Sequence, residues 1–321
     1  MNAKAIVIPE PNSVELREVQ LTEPGADDVV VQTFYTSISA GTERMLLGGR
    51  LPHPMLSFPV VPGYESVGRV AQAGANVPPE LLGQWVYIGG ARCFVDVNPA
   101  WGGQSSVLIA DYRRVVPLNS VEPHQGVLLA LAATALHGVD LLGDAEHASG
   151  TQRRALVLGQ GPVGQIAARL LRRQRTWVAV TDRDAGRLER SSADLATLAG
   201  DAPLKETLGE PVHTIIEATG SMAALADALP ALAEGGTVLL LGYYDELRLP
   251  YMPLFLKQAR LLTAREWAPG DLVRCRDMIA DGTLDLRGLI THTLPVAQVS
   301  AAYQTALNDP ACLKLLLEWA A

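Results

Sequence analysis

Charge is scarce in this chain and leans acidic, with 34 Asp and Glu against 26 Lys and Arg and a net charge of -8 at pH 7. Neither nucleic acid nor an anionic membrane would be drawn to such a surface, because either polyanion needs a basic footprint. The expected partner is a small molecule, and no nucleic acid. Cysteine is rarer still. Cys93, Cys275 and Cys312 are too dispersed for a disulfide framework or a four-thiolate zinc site, and are expected to act as small buried hydrophobes. No apolar run approaches the thickness of a bilayer, and Met1 to Pro9 lacks a basic stretch followed by an apolar one. A cytoplasmic protein with no transmembrane segment is the expectation. Internal repeats and low-complexity segments are absent as well.

What is present is apolar content: 48% of 321 residues are hydrophobic, enough for two cores and too long for one typical domain. Up to about Leu118, short apolar runs such as Val29-Val30-Val31 alternate with Gly, Pro, Asn and Asp, the texture of a mainly β domain. From Val127 to Leu142 the pattern turns helical, and strands then alternate with helices, which predicts a parallel sheet covered on both faces. The strands are expected at Ala155 to Leu158, Trp177 to Thr181, His213 to Glu217 and Thr237 to Leu241. Helices are expected through Val163 to Leu171, over Ala223 to Ala233, and from Val296 to Ala306 ahead of a last strand near Leu313 to Leu317. Gly143 to Gln152 reads as a polar surface connection.

Gly159-Gln160-Gly161-Pro162-Val163-Gly164 follows a predicted strand and opens a predicted helix. In that context Gly159 allows the tight turn, Gly161 lets the backbone approach a pyrophosphate, and Gly164 lets helix and strand pack closely. The helix N-terminus, with Pro162 and Val163, presents N–H groups to the phosphates. Asp182 closes the next strand at the distance where a carboxylate accepts from the adenosine ribose hydroxyls, which favours NAD over NADP. Arg183 follows it and is able to cradle a 2′-phosphate, so NADP stays open. Thr219-Gly220 and Gly242-Tyr243 end later strands on the edge where open parallel sheets bind ligands.

Two blocks, Ile38-Ser39-Ala40-Gly41-Thr42-Glu43 and Pro62-Gly63-Tyr64-Glu65-Ser66-Val67-Gly68, together with this order of parts, resemble the medium-chain dehydrogenase/reductase superfamily. The resemblance implies an α/β fold in two parts. A β-rich, GroES-like catalytic domain would comprise residues 1–123 and 287–321, and a doubly wound Rossmann domain residues 124–286. It implies a homodimer formed through the Rossmann sheet edge. Further blocks, including Gly90-Ala91-Arg92-Cys93-Phe94, Leu129-Ala130-Leu131-Ala132-Ala133-Thr134, Gly288-Leu289-Ile290-Thr291-His292 and Ala311-Cys312-Leu313-Lys314, are similar to the bacteriochlorophyllide a dehydrogenase family. That likeness implies NAD-dependent oxidation of a 3-(1-hydroxyethyl) group on a bacteriochlorin to 3-acetyl.

The same resemblance sets Ser39, Tyr64 and Ala130 where zinc enzymes of the superfamily carry their ligands. Two hydroxyls and a methyl cannot supply the N and S donors of a tetrahedral zinc, so no metal is expected. Some group must then take the alcohol proton as hydride leaves. Tyr64 is the first candidate, given a lowered pKa or a relay; otherwise it fills the vacated space. Ser39 and Thr42 either pass the proton or bond their own turn, and Glu43 or Glu65 accepts it further out or forms a structural ion pair. His53, in Leu51 to Met55, and Trp101, in Trp101-Gly102-Gly103, lie in loops able to cover a flat macrocycle. His137 lies on an Ala-rich helix near the expected nicotinamide and is a substrate contact or an interior histidine. Tyr243 and Tyr244 are placed to pack on a ligand or an interface. Two other functions stay open: a zinc-free quinone or enoyl reductase using NADPH, and a dinucleotide-binding protein without catalysis.

Overall fold

The computed structural model of the chain describes residues 1–51, 56–143 and 152–319. They fall into two compact units, Met1–Ala130 with Arg287–Ala321, and Leu131–Leu286. The fold is α/β, and each unit has its own sheet and core.

In the first unit the strand Asp28–Ser37 organises the rest. Its valines are consecutive because neither side of this stretch is left to water, and Val29, Val30 and Val31 enter the core with Val86, Ile88 and Leu108. The sheet, seven-stranded among the described residues, runs His292–Pro295, Leu315–Glu318, Asp28–Ser37, Ser66–Ala73, Trp85–Ile88 and Val115–Pro117, with Val107–Asp111 also paired to Asp28–Ser37. Register decides what meets at its end. Thr36 lies opposite Ser66 and Leu316 opposite Ser37, so the segments after Ser37, before Ser66 and before Leu315 converge. The helix Ala40–Leu47 starts from this corner, and Val299–Asn308 packs its Val299, Ala302 and Tyr303 with Ile38 and Leu315.

The second unit holds a sheet that is six-stranded among the described residues. Its order is Leu195–Leu198, Trp177–Asp182, Arg154–Leu158, Val212–Glu217, Leu232–Leu240 and Arg260–Thr263, every neighbour parallel. Strand order reverses between Arg154–Leu158 and Val212–Glu217, the switch point at which such sheets bind ligands.

Several elements of the second unit depart from the sequence expectation. The helix expected over Ala223 to Ala233 ends at Ala228. A short 3₁₀ turn over Leu229–Ala231 contains Pro230, which cannot continue an α-helical hydrogen-bond ladder, and Leu232 already belongs to the next strand. Leu195–Leu198 and Arg260–Thr263, both at sheet edges, are strands that periodicity left out. The composition Leu-Ala-Thr-Leu suits a helix equally well, and pairing with Trp177–Asp182 decides it. The expected lid segment around His53 and most of the Gly143 to Gln152 connection lie outside the described residues.

Candidate active site

At the corner of the first unit, the N–H of Ser37 donates to the Glu65 carbonyl at 3.0 Å. This bond holds the Ser37–Ser39 and Tyr64–Ser66 segments side by side. Ser39 stands at the N-cap of Ala40–Leu47, yet its hydroxyl does not cap the helix. Glu43 reaches back instead, its Oε1 accepting from the Ser39 N–H at 3.0 Å. The Ser39 hydroxyl is thereby left for Tyr64, whose phenol oxygen lies 2.6 Å from Ser39 Oγ and 3.2 Å from Thr42 Oγ1. Ser39 is buried, while Thr42 and Tyr64 are half-buried.

Tyr64 is fixed from two further directions. The fully buried Tyr87 donates its hydroxyl to the Tyr64 carbonyl at 2.7 Å. Trp101 meets the ring edge to face, centroids 5.4 Å apart, and holds a positive φ of 69° that a bulky residue adopts only when its surroundings impose it. An added Cβ on Gly90 would collide with the Trp101 carbonyl, so glycine there is a condition of the Trp101 turn. Trp101 remains 38% exposed.

The pKa directions sort these side chains. Burial, then the Glu65 and Glu43 carboxylates, push the Tyr64 phenol well above its ordinary value, so the lowered pKa that a phenolate base requires is not provided. Glu43, fully buried, is pushed up to about 7 by loss of solvation, against the stabilising bonds from Tyr303 and the Ser39 backbone. Glu65 forms a buried ion pair with Lys314 and accepts from the Ser37 hydroxyl, the structural alternative considered for it. Its Oε1 has no hydrogen-bond partner among the described residues. Lys314 also donates to the Ile38 carbonyl at 3.0 Å. Ala130 is fully buried. Among the described residues no three His, Cys, Asp or Glu side chains gather as a metal would require, and all three cysteines are buried.

The second unit carries the glycine-rich turn. Gly159 has φ +86°, and a Cβ there would meet Thr219 Cγ2 at 2.7 Å. One on Gly164 would overlap the Gly159 carbonyl, and one on Gly161 would meet nothing within 4 Å. The turn therefore needs Gly159 and Gly164 for its own packing, while the space beside Gly161 is open to a ligand. Pro162 opens the helix Pro162–Arg173, and Val163 is half-buried behind it. Asp182 ends its strand with both oxygens engaged, Oδ2 by the Gln160 N–H at 2.6 Å and Oδ1 by the Asp184 N–H at 2.9 Å. Arg183, Thr219, Gly220 and Tyr243 are exposed, and Gly242 is half-buried. His137 approaches buried Asp271, Nδ1 to Oδ2 3.8 Å, within the same unit. His292 lies in the strand His292–Pro295, beside Thr291.

Three residues were given no role by the sequence reading, Lys314, Tyr303 and Glu217, and Tyr244 was named there without its bond to Glu217. Lys314 and Glu217 had a signal, a charge inside or ending an apolar strand, which is seldom buried without a partner. Tyr303 had none, since it matters through Glu43, a carboxylate distant in the chain.

No protein-family model matches the chain. It is 33% identical over 333 residues to a 2-desacetyl-2-hydroxyethyl bacteriochlorophyllide A dehydrogenase of Cereibacter sphaeroides, spanning 100% of this chain and 99% of that protein. It is 34% identical over 327 residues to the protein of the same description from Rhodobacter capsulatus, spanning 99% of each. Among solved structures, an E. coli alcohol dehydrogenase complexed with NADH superposes with TM-score 0.85 at 23% identity over 99% of both chains. A Sinorhizobium meliloti putative zinc-binding dehydrogenase bound to NADP does so with 0.82 at 22%, over 99% of this chain and 100% of that one.

Proposed function

Since the chain belongs to the medium-chain dehydrogenase/reductase superfamily and, within it, to the bacteriochlorophyllide a dehydrogenases, oxidoreductases acting on CH–OH, we propose that it oxidises the 3-(1-hydroxyethyl) group of bacteriochlorophyllide a to 3-acetyl in bacteriochlorophyll synthesis. The observation that carries this reading is the full-length identity of 33% and 34% to two relatives of that description.

The cofactor is a nicotinamide dinucleotide, and we infer NAD. The open space beside Gly161 and the N-terminus of Pro162–Arg173 fit a pyrophosphate, and the Asp182 carboxylate fits ribose hydroxyls while repelling a 2′-phosphate. Thr219, Gly220, Gly242 and Tyr243 would receive the nicotinamide half. Bound NAD supplies the hydride acceptor; the chain's own residues manage the proton.

The donors at Ser39, Tyr64 and Ala130 do not suit zinc, and the two hydroxyls already bond each other. The reaction is accordingly assigned as zinc-free. Tyr64 stays a neutral phenol and works as a relay: as it takes the substrate hydroxyl proton it releases its own to Ser39 or Thr42, and that hydroxyl passes its own proton to water, the final acceptor, on the half-buried Thr42 side. This replaces the phenolate base considered from sequence. Trp101, held rigid and partly exposed beside Tyr64, is suited to apolar contact with a flat macrocycle. Glu43 and Glu65 act by holding the corner together.

A homodimer is supported by Tyr251, Met252, Phe255 and Leu256, all more than half exposed on one short helix, followed by the edge strand Arg260–Thr263. No helix among the described residues is long and apolar enough to cross a membrane, and the cytoplasm is the proposed compartment. The test is incubation with 3-(1-hydroxyethyl)bacteriochlorophyllide a and NAD, reading the pigment spectrum and NADH together with metal content. Faster turnover of quinones with NADPH would favour a reductase, and one zinc per chain with chelator-sensitive activity would remove the metal-free assignment.

A further inference from the structure

Glu217 ends the strand Val212–Glu217 with no exposed surface, and everything around it is a donor. Oε1 accepts from the Thr219 N–H at 2.7 Å and from the Thr219 hydroxyl. Oε2 accepts from the Gly220 N–H at 3.1 Å and from the Tyr244 hydroxyl. Its main-chain carbonyl accepts from the N–H groups of Leu241 and Gly242 at 2.8 and 2.9 Å. One residue thus ties together the loops that follow two neighbouring strands of the sheet. Space is used up around this knot: a Cβ on Gly242 would stand 2.5 Å from Glu217 Oε2 and 2.6 Å from the Tyr244 hydroxyl, and one on Gly220 would meet the Tyr243 carbonyl at 3.1 Å. Thr219 extends it, accepting from the Ser221 N–H at 2.9 Å while its methyl covers Gly159.

We propose that Glu217, clasped by Tyr244, is the positioning residue that presets the two loops for the nicotinamide half of the dinucleotide. The inference rests on the reading that Thr219, Gly220, Gly242 and Tyr243 receive that half. Glu217 itself is covered and touches no ligand. Its effect is to fix the backbone of both loops before binding, so that the ordering need not be done by the ligand. The adenosine end has separate supports, the bonds of Asp182 with Gln160 and Asp184, none of which involves Glu217.

Glu217→Gln keeps the shape and cannot keep the bonds. Whichever way the amide is turned, its NH2 faces a backbone N–H, that of Thr219 or that of Gly220, and a buried donor is left unmet. Tyr244→Phe removes one donor and leaves the ring. Titration calorimetry of the full chain with NADH and, separately, with AMP reads the two ends of the site, and thermal melting follows the fold. Glu217→Gln is expected to weaken NADH by about tenfold or more and to leave AMP within about twofold. Tyr244→Phe should shift NADH by a smaller factor in the same direction, again sparing AMP, and it decides the matter if Glu217→Gln does not fold. Equal weakening of NADH and AMP, which a general structural role predicts, or unchanged NADH affinity overturns the proposal. If the unaltered chain binds neither ligand, the dinucleotide reading has failed, and the clasp's assigned role falls with it.

Discussion

Lys314 and Glu65, far apart in sequence, form an ion pair whose side chains are 2% and 0% exposed. The pair spans the corner that holds Tyr64 and Ser39, because Glu65 follows Tyr64 directly and Lys314 also bonds the Ile38 carbonyl. Replacing Lys314 by Met leaves a buried carboxylate without its cation, a change that costs about 3–5 kcal/mol. Replacing both, with Glu65→Leu added, removes the charge as well and should recover most of that loss. Denaturant unfolding of the single and double variants checks this. A single variant within about 0.5 kcal/mol of the parent would show the pair to be dispensable.

The sequence made some of this legible and hid the rest for physical reasons. The glycine-rich turn could be read because its constraints are local: a positive φ at Gly159 and a helix packed onto its carbonyl at Gly164. Ser39 and Tyr64 could be named from the superfamily resemblance, but their 2.6 Å contact follows from strand register, which no single segment encodes. Glu43 was named without its partner Tyr303, which is brought back by a helix close to the C-terminus. The edge strand Arg260–Thr263 was missed because it pairs on one side only, leaving a weak apolar alternation.

Glu43 should make stability depend on pH. Its folded pKa, about 7 against an ordinary 4.5, means that folding favours the protonated acid. The stability it contributes is full below about pH 4.5 and is lost as pH rises through about 7. Loss of solvation dominates the shift, Glu65 adds to it and Lys314 opposes it. Glu43→Gln has no proton to lose there, and its amide is able to donate to the Tyr303 oxygen. The variant should gain on the parent in melting temperature between pH 5 and pH 8, by up to roughly 3 kcal/mol equivalent, and the gap should level off above that range. A gap independent of pH would mean that Glu43 does not titrate there.

Asp182→Ala should narrow the preference for NAD over NADP. The carboxylate is expected to accept from ribose hydroxyls and to repel a 2′-phosphate, and charge-assisted bonds of this kind are worth about 1.5–3 kcal/mol. Asp182 also fixes the Gln160 and Asp184 N–H groups, so the variant should loosen the turn and weaken both nucleotides. The informative quantity is therefore the ratio of the two dissociation constants, measured under one condition. An unchanged ratio would move cofactor selection to another residue, with Arg183 next in line.

Tyr64→Phe separates a relay from a filler. The substitution keeps the ring and its edge-to-face contact with Trp101, and it removes only the oxygen shared with Ser39 and Thr42. If Tyr64 merely occupies space, turnover should stay close to that of the parent. If its phenol carries the substrate proton, kcat should fall by about 10²–10⁴, the usual worth of positioned proton transfer, while the dissociation constant for NAD is unchanged. The pH profile adds a second reading. Because burial and two carboxylates hold the phenol well above its ordinary pKa, the parent should show no limb from phenol ionisation at neutral or mildly alkaline pH. Such a limb near neutrality, absent in the variant, would restore the phenolate base. Parent-like turnover in Tyr64→Phe would instead leave Ser39, Thr42 or water to carry the proton.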